Sequence, residues 1–245
     1  MQNVHIGTMG WSYKFWKKSF YPNDLDSSKY LNYYASQFDT VEVNNTFYRI
    51  PNEKTVLAWK EQTPPNFIFS LKFPRKITHF KMLTNSEEDT SVFLKRVSLL
   101  KEKLGPLLIQ FPYNFTEEKL PKLQEFLKIL PKKYSYAVEV RNKKLLNDKL
   151  FSILKEHNVA LAWANHPFLP LVEEITANFL YIRWEGNRKT VNGTLGKTEV
   201  DKSESIKIWA NKIATHMGSR RIFGYFSKYF SGNPTKDIKE ILNTI

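Results

Sequence analysis

The sequence predicts an α/β protein, a single (β/α)8 TIM-barrel domain over residues 1–245, and three observations predict it. Eight short apolar or β-branched runs follow one another, most of them separated by a segment of helical periodicity. A chain of 245 residues has the length of an eightfold barrel, for which roughly 250 residues is typical. No Pro-, Gly- or Ser-rich linker and no low-complexity tract divides it. A doubly wound open sheet is the alternative, but "GTMGWS" lacks the third glycine of a dinucleotide-binding turn.

The strand candidates are VHIG (4–7), TVEVN (40–44), FIFSLKF (67–73), PLLIQF (106–111), YAVEV (136–140), VALAWA (159–164), FLYIRW (179–184) and RIFGYF (221–226). Between them, Phe93, Val97, Leu100 and Leu104 recur at helical spacing, as do Leu120, Leu123, Leu127 and Leu130. Ile206, Trp209 and Ile213 mark a helix before the last strand, and Ile238, Ile241 and Ile245 one after it. Gly105, Asn158 and Gly218 stand where helices should stop, and Thr116, Ser203 and Thr235 where they should start. The weakest unit is the sixth, where PLVEEITAN gives a short helix at best.

Composition bounds the function. Zero cysteines exclude a disulfide framework, thiolate chemistry and cysteine-ligated metal. No run of 18 apolar residues exists, so no membrane span and no membrane partner are expected. MQNVHIGT lacks the pattern of a signal peptide, which makes the cytoplasm the expected location. A net charge of +13 favours polyanions, although many lysines lie on helix candidates, where they would only solvate a surface.

In such barrels chemistry sits at the carboxyl ends of the strands. The polar residues interrupting those ends are Glu42 and Asn44, Lys72, Gln110, Glu139 and Arg141, Asn165, and Arg183 and Glu185. Within each pair the spacing of two puts both side chains on one face. Inward charges are costly unless paired, and Glu42, Glu139 and Glu185 balance Lys72, Arg141 and Arg183. This set reads either as an ion-pair layer plugging the barrel or as a site with preorganised donors and carboxylates; placement at carboxyl ends favours the site. Glu42, Glu139 and Arg141 are the catalytic candidates.

The loops after the first three strands interleave aromatic and basic residues. The first, IGTMGWSYKFWKKSFYP (6–22), carries Trp11, Tyr13 and Trp16, which would stack on bases or sugars; alternatively Trp11, Trp16 and Phe20 lid the core. The second brings Asn44, Asn45, Thr46, Tyr48 and Arg49, and the third Lys72, Arg75, Lys76, His79 and Lys81. The loop after the seventh strand, with Gly186, Gly193, Gly196, Arg188, Lys189 and Lys197, suits a phosphate or simply a solvated loop. Of five histidines only His79 and His166 fall near the expected mouth, which does not supply a trinuclear zinc centre; no metal and no cofactor are assigned.

IGTMGWSYKFWKKSFYP, TVEVNNTFYRIP, FSLKFPRKITH, LLIQFP and AVEVR together resemble the successive motifs of domain-of-unknown-function family 72, the YecE-like family, with echoes in YIRWEG and IFGYFSKYFSGNPTKDI. The resemblance spans essentially the whole chain. It implies a TIM barrel without established activity and a relation to endonuclease IV-like barrels, hence to nucleic acid. The chain departs from the pattern in its second half. EVRNKKLLND lacks the usual Ser-Trp, Arg183-Trp184-Glu185-Gly186 stands where Arg-Leu-His-Gly is usual, and Phe226-Ser227-Lys228 where Phe-Asn-Asn is usual.

The expected function is therefore binding or processing of a nucleic acid or another phosphorylated, ring-bearing ligand at the barrel mouth. The ligand-binding candidates are Trp11, Tyr13, Trp16, Asn44, Asn45, Thr46, Tyr48, Arg49, Lys72, Arg75, His79, Gln110, Arg183 and Glu185. The alternatives are a carbohydrate-active hydrolase using the mouth carboxylates and a non-catalytic interaction barrel. A glycosidase needs two carboxyl groups flanking one bond, and the fourth strand ends in Gln110 rather than an acid.

Overall fold

A computed structural model describes residues 3–245. Eight parallel strands, β1 (Val4–Met9), β2 (Thr40–Val43), β3 (Ile68–Lys72), β4 (Leu104–Phe111), β5 (Tyr136–Val140), β6 (Ala160–Asn165), β7 (Phe179–Trp184) and β8 (Arg221–Phe226), pair in sequence order. The barrel closes with β8 on β1. Around it run α1 (Tyr30–Gln37), α2 (Glu53–Glu61), α3 (Glu87–Val97), α4 (Leu120–Ile129), α5 (Asp148–Glu156), α6 (Ser203–Met217) and α7 (Pro234–Thr244). None of these helices is long and apolar enough to cross a membrane.

The sixth crossover has no helix. From Asn165 the chain runs irregularly to β7, fastened through Thr176 and Trp163. Thr176 Oγ1 donates to the Val159 carbonyl (2.6 Å) and accepts from the Leu161 amide (2.7 Å), while Trp163 Nε1 donates to the Glu174 carbonyl. The helix expected through Leu104 stops at Val97; a 3₁₀ turn follows, with Lys101 at φ 54°, and Leu104 opens β4. Gly105 accordingly lies inside β4, where a Cβ would meet Ile68 Cγ2 at 2.5 Å, so it permits close approach to β3 rather than ending a helix.

The caps also sit slightly off the expected places. Thr116 precedes only a 3₁₀ turn. Ser203 opens α6 with its amide held by the Asp201 carboxylate, and α7 is capped by Asn233, two residues before Thr235. Asn158 and Gly218 stand just past α5 and at the end of α6, as expected.

The barrel interior is layered. His5 stacks on Phe223 near the amino ends of the strands (5.1 Å). Above them the Tyr225 hydroxyl is bonded to Thr40 (2.9 Å) and Ser70 (2.6 Å). Ala137, Ala160 and Ala162 keep the interior open enough for Tyr181 and Tyr225, and Ala164 lies beside Arg183 in the register. Two residues beyond Thr40, Ser70, Leu108, Ala137 and Tyr181, the inward positions are Glu42, Lys72, Gln110, Glu139 and Arg183. The period of two thus delivers all five to the carboxyl-terminal mouth.

Candidate functional site

Arg183 organises the floor of the mouth. Its Nε and Nη2 each donate to Glu42 at 2.9 Å, a two-pronged contact, and its Nη1 donates to Glu139 (2.6 Å) and to Glu185. Arg141, from just past β5, binds Glu139 (2.6 Å) and Glu185 (2.7 Å). Tyr181 and Asn44 donate the remaining bonds to Glu42, at 2.8 and 2.9 Å. Two of the three expected cations, Arg183 and Arg141, therefore pair with all three carboxylates, while Lys72 pairs with none among the described residues. A buried pair of this kind costs desolvation that geometry must offset, so its contribution is to fix side-chain positions rather than to add stability.

A polar chain leads from this cluster to Lys72. Gln110 Nε2 donates to Glu139 (2.7 Å), which leaves its carbonyl oxygen facing Lys72 Nζ at 2.5 Å. Burial alone would raise the Glu139 and Glu185 carboxyls; for Glu139 the charges of Arg141, Arg183 and Lys72 outweigh it, for Glu185 those of Arg183 and Arg141, and both carboxyls stay below the usual range. Lys72 goes the other way. Burial, helped by Arg183, pushes it down to about 8 against the pull of Glu139, Glu42 and Glu185.

The rim comes from the second and third crossovers. Lys72 Nζ lies 4.1 Å from the Phe47 ring centre, and His79 meets the same ring edge-on at 4.8 Å. After β3 a π-helical turn, Lys76–Phe80, follows Arg75. The Arg75 guanidinium sits 5.3 Å from the Tyr48 ring and 5.2 Å from the Phe80 ring, and those rings are 67% and 69% exposed. Burial and the charges of Lys72, Arg141 and Arg75 lower His79 to about 4. Lys76 and Lys81 are both occupied by Asp89, whereas Arg75 forms no ion pair among the described residues. No three His, Asp or Glu side chains among the described residues are grouped as metal ligands would be.

Several expected ligand contacts lie elsewhere. Trp16 is 2% exposed, wedged among Tyr13 (4.8 Å), Phe20 (5.6 Å) and Tyr21 (5.9 Å); it lids the core and offers no face to a ligand. Trp11 points outside the barrel, edge-on to Trp59 at 5.8 Å in a cleft shared with Ser27, Asn52 and Gln62. Tyr13 donates its hydroxyl to the Met9 carbonyl (2.5 Å), and burial pushes its pKa up to about 12. Thr46 is buried and fastens the backbone, donating to the carbonyls of Lys72 (2.6 Å) and Val43 (3.1 Å). Asn45 and Arg49 line an outer cleft with Asn52, Trp59 and Arg96 rather than the mouth. Arg183, Glu185 and Gln110 are present at the mouth but engaged with one another.

Phe47, Phe80 and Phe168 are not among the candidates that the sequence offers, and Lys228 enters there only as a departure from the family pattern. Phe168 is exposed beside Lys189 (5.4 Å), and Lys228 lies 5.1 Å from Phe15. Lys228 beside Tyr229 and Phe80 beside Lys81 carry the one available signal, an aromatic adjacent to a cation in a loop after a barrel strand; Phe168, between Pro167 and Leu169, carries none. Gly186, at φ 69°, lets loop seven lie against loop eight: a Cβ there would meet the Tyr229 carbonyl at 1.9 Å.

Comparison with known proteins places this architecture. The model of the family described as a protein of unknown function, DUF72, matches residues 5–244. The UPF0759 protein YecE of Escherichia coli K12 is 28% identical over 236 residues, covering 86% of this chain and 81% of that protein. The UPF0759 protein YunF of Bacillus subtilis is 32% identical over 117 residues, covering 44% and 40%. The crystal structure of a DUF72 family protein from Thermotoga maritima superposes with a TM-score of 0.81 at 24% identity, over 98% of this chain and 97% of that one. One from Enterococcus faecalis gives 0.76 at 20% identity, over 98% and 94%. At these identities the two structures speak for the shared fold.

Proposed function

The chain belongs to the DUF72 family, and from that premise we propose that its barrel mouth binds a phosphorylated, ring-bearing ligand, with single-stranded nucleic acid as the class that fits best. The observation carrying this reading is the Tyr48–Arg75–Phe80 stack. Two large rings are left in solvent, where burial would have been favourable, with a guanidinium between them that has no ion-pair partner among the described residues. Exposed rings beside a cation are the elements with which proteins hold unpaired bases and their phosphates. In the adjoining floor Arg141 and Arg183 are taken up by carboxylates, and Lys72 adds a cation without an ion-pair partner among the described residues. A net charge of +13 favours a polyanion over a single phosphate.

The hydrolase reading has less support. A glycosidase acid must hold a proton near neutral pH, so its pKa is raised. Glu139 and Glu185 are instead kept ionised by Arg183 and Arg141. We read Glu42, Glu139 and Arg141 as the frame that fixes Arg183 and Gln110.

The test is an equilibrium titration with single-stranded pentathymidylate over a salt series. Tyr48→Ala or Phe80→Ala should each weaken binding by about 1–3 kcal/mol if the ring stacks on a base. Arg75→Ala should weaken it and flatten the salt slope by roughly one unit, as loss of a phosphate contact does. Binding of neutral oligosaccharides without salt dependence, or wild-type affinity in all three variants, would overturn the reading.

A further inference from the structure

Among the described residues two lysines, Lys72 and Lys103, are buried, and they are held differently. Lys103 Nζ donates to three acceptors, the carbonyls of Lys60 and Thr63 (both 2.6 Å) and Thr63 Oγ1 (3.1 Å), which is how a structural lysine is satisfied. Lys72, 8% exposed at the end of β3, has one hydrogen-bond acceptor among the described residues, the neutral Gln110 carbonyl oxygen, and otherwise rests on the Phe47 face. No carboxylate pairs with it. An ammonium has three N–H groups to satisfy, so this setting disfavours the charged form relative to the free amine.

We propose that Lys72 is a nucleophilic amine that forms an imine with an aldehyde or ketone carrying a phosphate, entered through the barrel mouth. The reactivity goes beyond the binding reading above and needs no ring on the ligand; only the phosphate preference rests on that reading. Strand-end position places the amine where barrel chemistry occurs. Desolvation and a neighbouring cation are the two conditions that activate a lysine for this chemistry, and Phe47 and Arg183 supply them.

The step balances without a co-reactant. The amine lone pair attacks the carbonyl carbon, a C–N bond forms, and the C=O electrons move to oxygen. The two amine hydrogens then leave with that oxygen as water, giving C=N. Gln110 is the positioning residue: its amide is locked by donation to Glu139, so its oxygen always faces Nζ. The groups bearing on Nζ are Arg183 from β7, Glu139 from β5, Glu42 from β2, Glu185 just beyond β7, and His79 from the turn after β3. Arg75, which has no ion-pair partner among the described residues, is the cation open to the phosphate.

The full chain should be incubated with limiting glycolaldehyde phosphate, or with glycolaldehyde, and cyanoborohydride, then mapped by peptide mass. Lys72 should take label at least tenfold faster than the average lysine, and its labelling should rise with pH to a midpoint near 8. Glycolaldehyde phosphate should outpace glycolaldehyde. Gln110→Glu, which sets a carboxylate against Nζ, should move the midpoint upward by a unit or more and slow Lys72 labelling at pH 7. Equal labelling by the two aldehydes keeps the amine chemistry and removes the phosphate preference. Label spread over exposed lysines with Lys72 untouched, or a Lys72 midpoint above 10, overturns the proposal, and both are read on the unaltered protein.

Discussion

Arg183 and Trp16 show that what a residue does is decided by its neighbours. Spacing puts Arg183 and Glu185 on one face, and the barrel reading turns that face, with those of Glu42 and Glu139, toward a common mouth, where the four side chains meet. Glu185, the acid standing where the family pattern has histidine, proved to be the bridge between Arg183 and Arg141. Trp16 was not legible in the same way: an aromatic in a loop has no periodicity, and only the fold turns it inward among Tyr13, Phe20 and Tyr21. Both residues give stability predictions. Arg183→Met leaves three facing carboxylates without their main partner and should cost about 3–5 kcal/mol in denaturant melts. Trp16→Ala should cost about 3–5 kcal/mol by cavity formation while leaving pentathymidylate affinity unchanged. A Trp16→Ala protein of full stability that had lost binding would return this residue to the ligand site.

Among the elements, the strands were readable and the connections less so. Apolar runs bounded by polar breaks located all eight strands to within a few residues, since a parallel barrel buries both faces of each strand. The third helix was read too far because Leu100 and Leu104 continue its spacing, whereas the backbone breaks at Lys101 and the periodicity passes into β4. The π-helical turn after β3, which presents His79 and Phe80, has no sequence signature of its own, so Phe80 was overlooked. In the sixth crossover, Thr176 replaces a helix as the fastening. Thr176→Val keeps the shape and removes both of its hydrogen bonds, leaving the buried Leu161 amide and Val159 carbonyl unsatisfied. It should cost about 1–3 kcal/mol and raise hydrogen exchange at Leu161; unchanged exchange there would show that the segment is held by packing alone.

At the scale of the whole molecule, the barrel gathers a neutralised floor and a cationic aromatic rim at one end, and the proposed binding depends on their adjacency. His79 stands between them and reports on both. Burial and the charges of Lys72, Arg141 and Arg75 depress its pKa from 6.5 to about 4, so folding favours the neutral ring. Its share of stability is complete above about 6.5 and is lost as pH falls through about 4. An anion seated beside it must act in the opposite sense, because a nearby negative charge favours the imidazolium. The direct measurement is an NMR titration of the His79 ring, assigned by its loss in His79→Gln, with and without saturating pentathymidylate. The midpoint should lie near 4 in the free protein and move clearly upward in the complex. Tight oligonucleotide binding that leaves the His79 midpoint where it was would place the ligand away from the mouth and contradict the account.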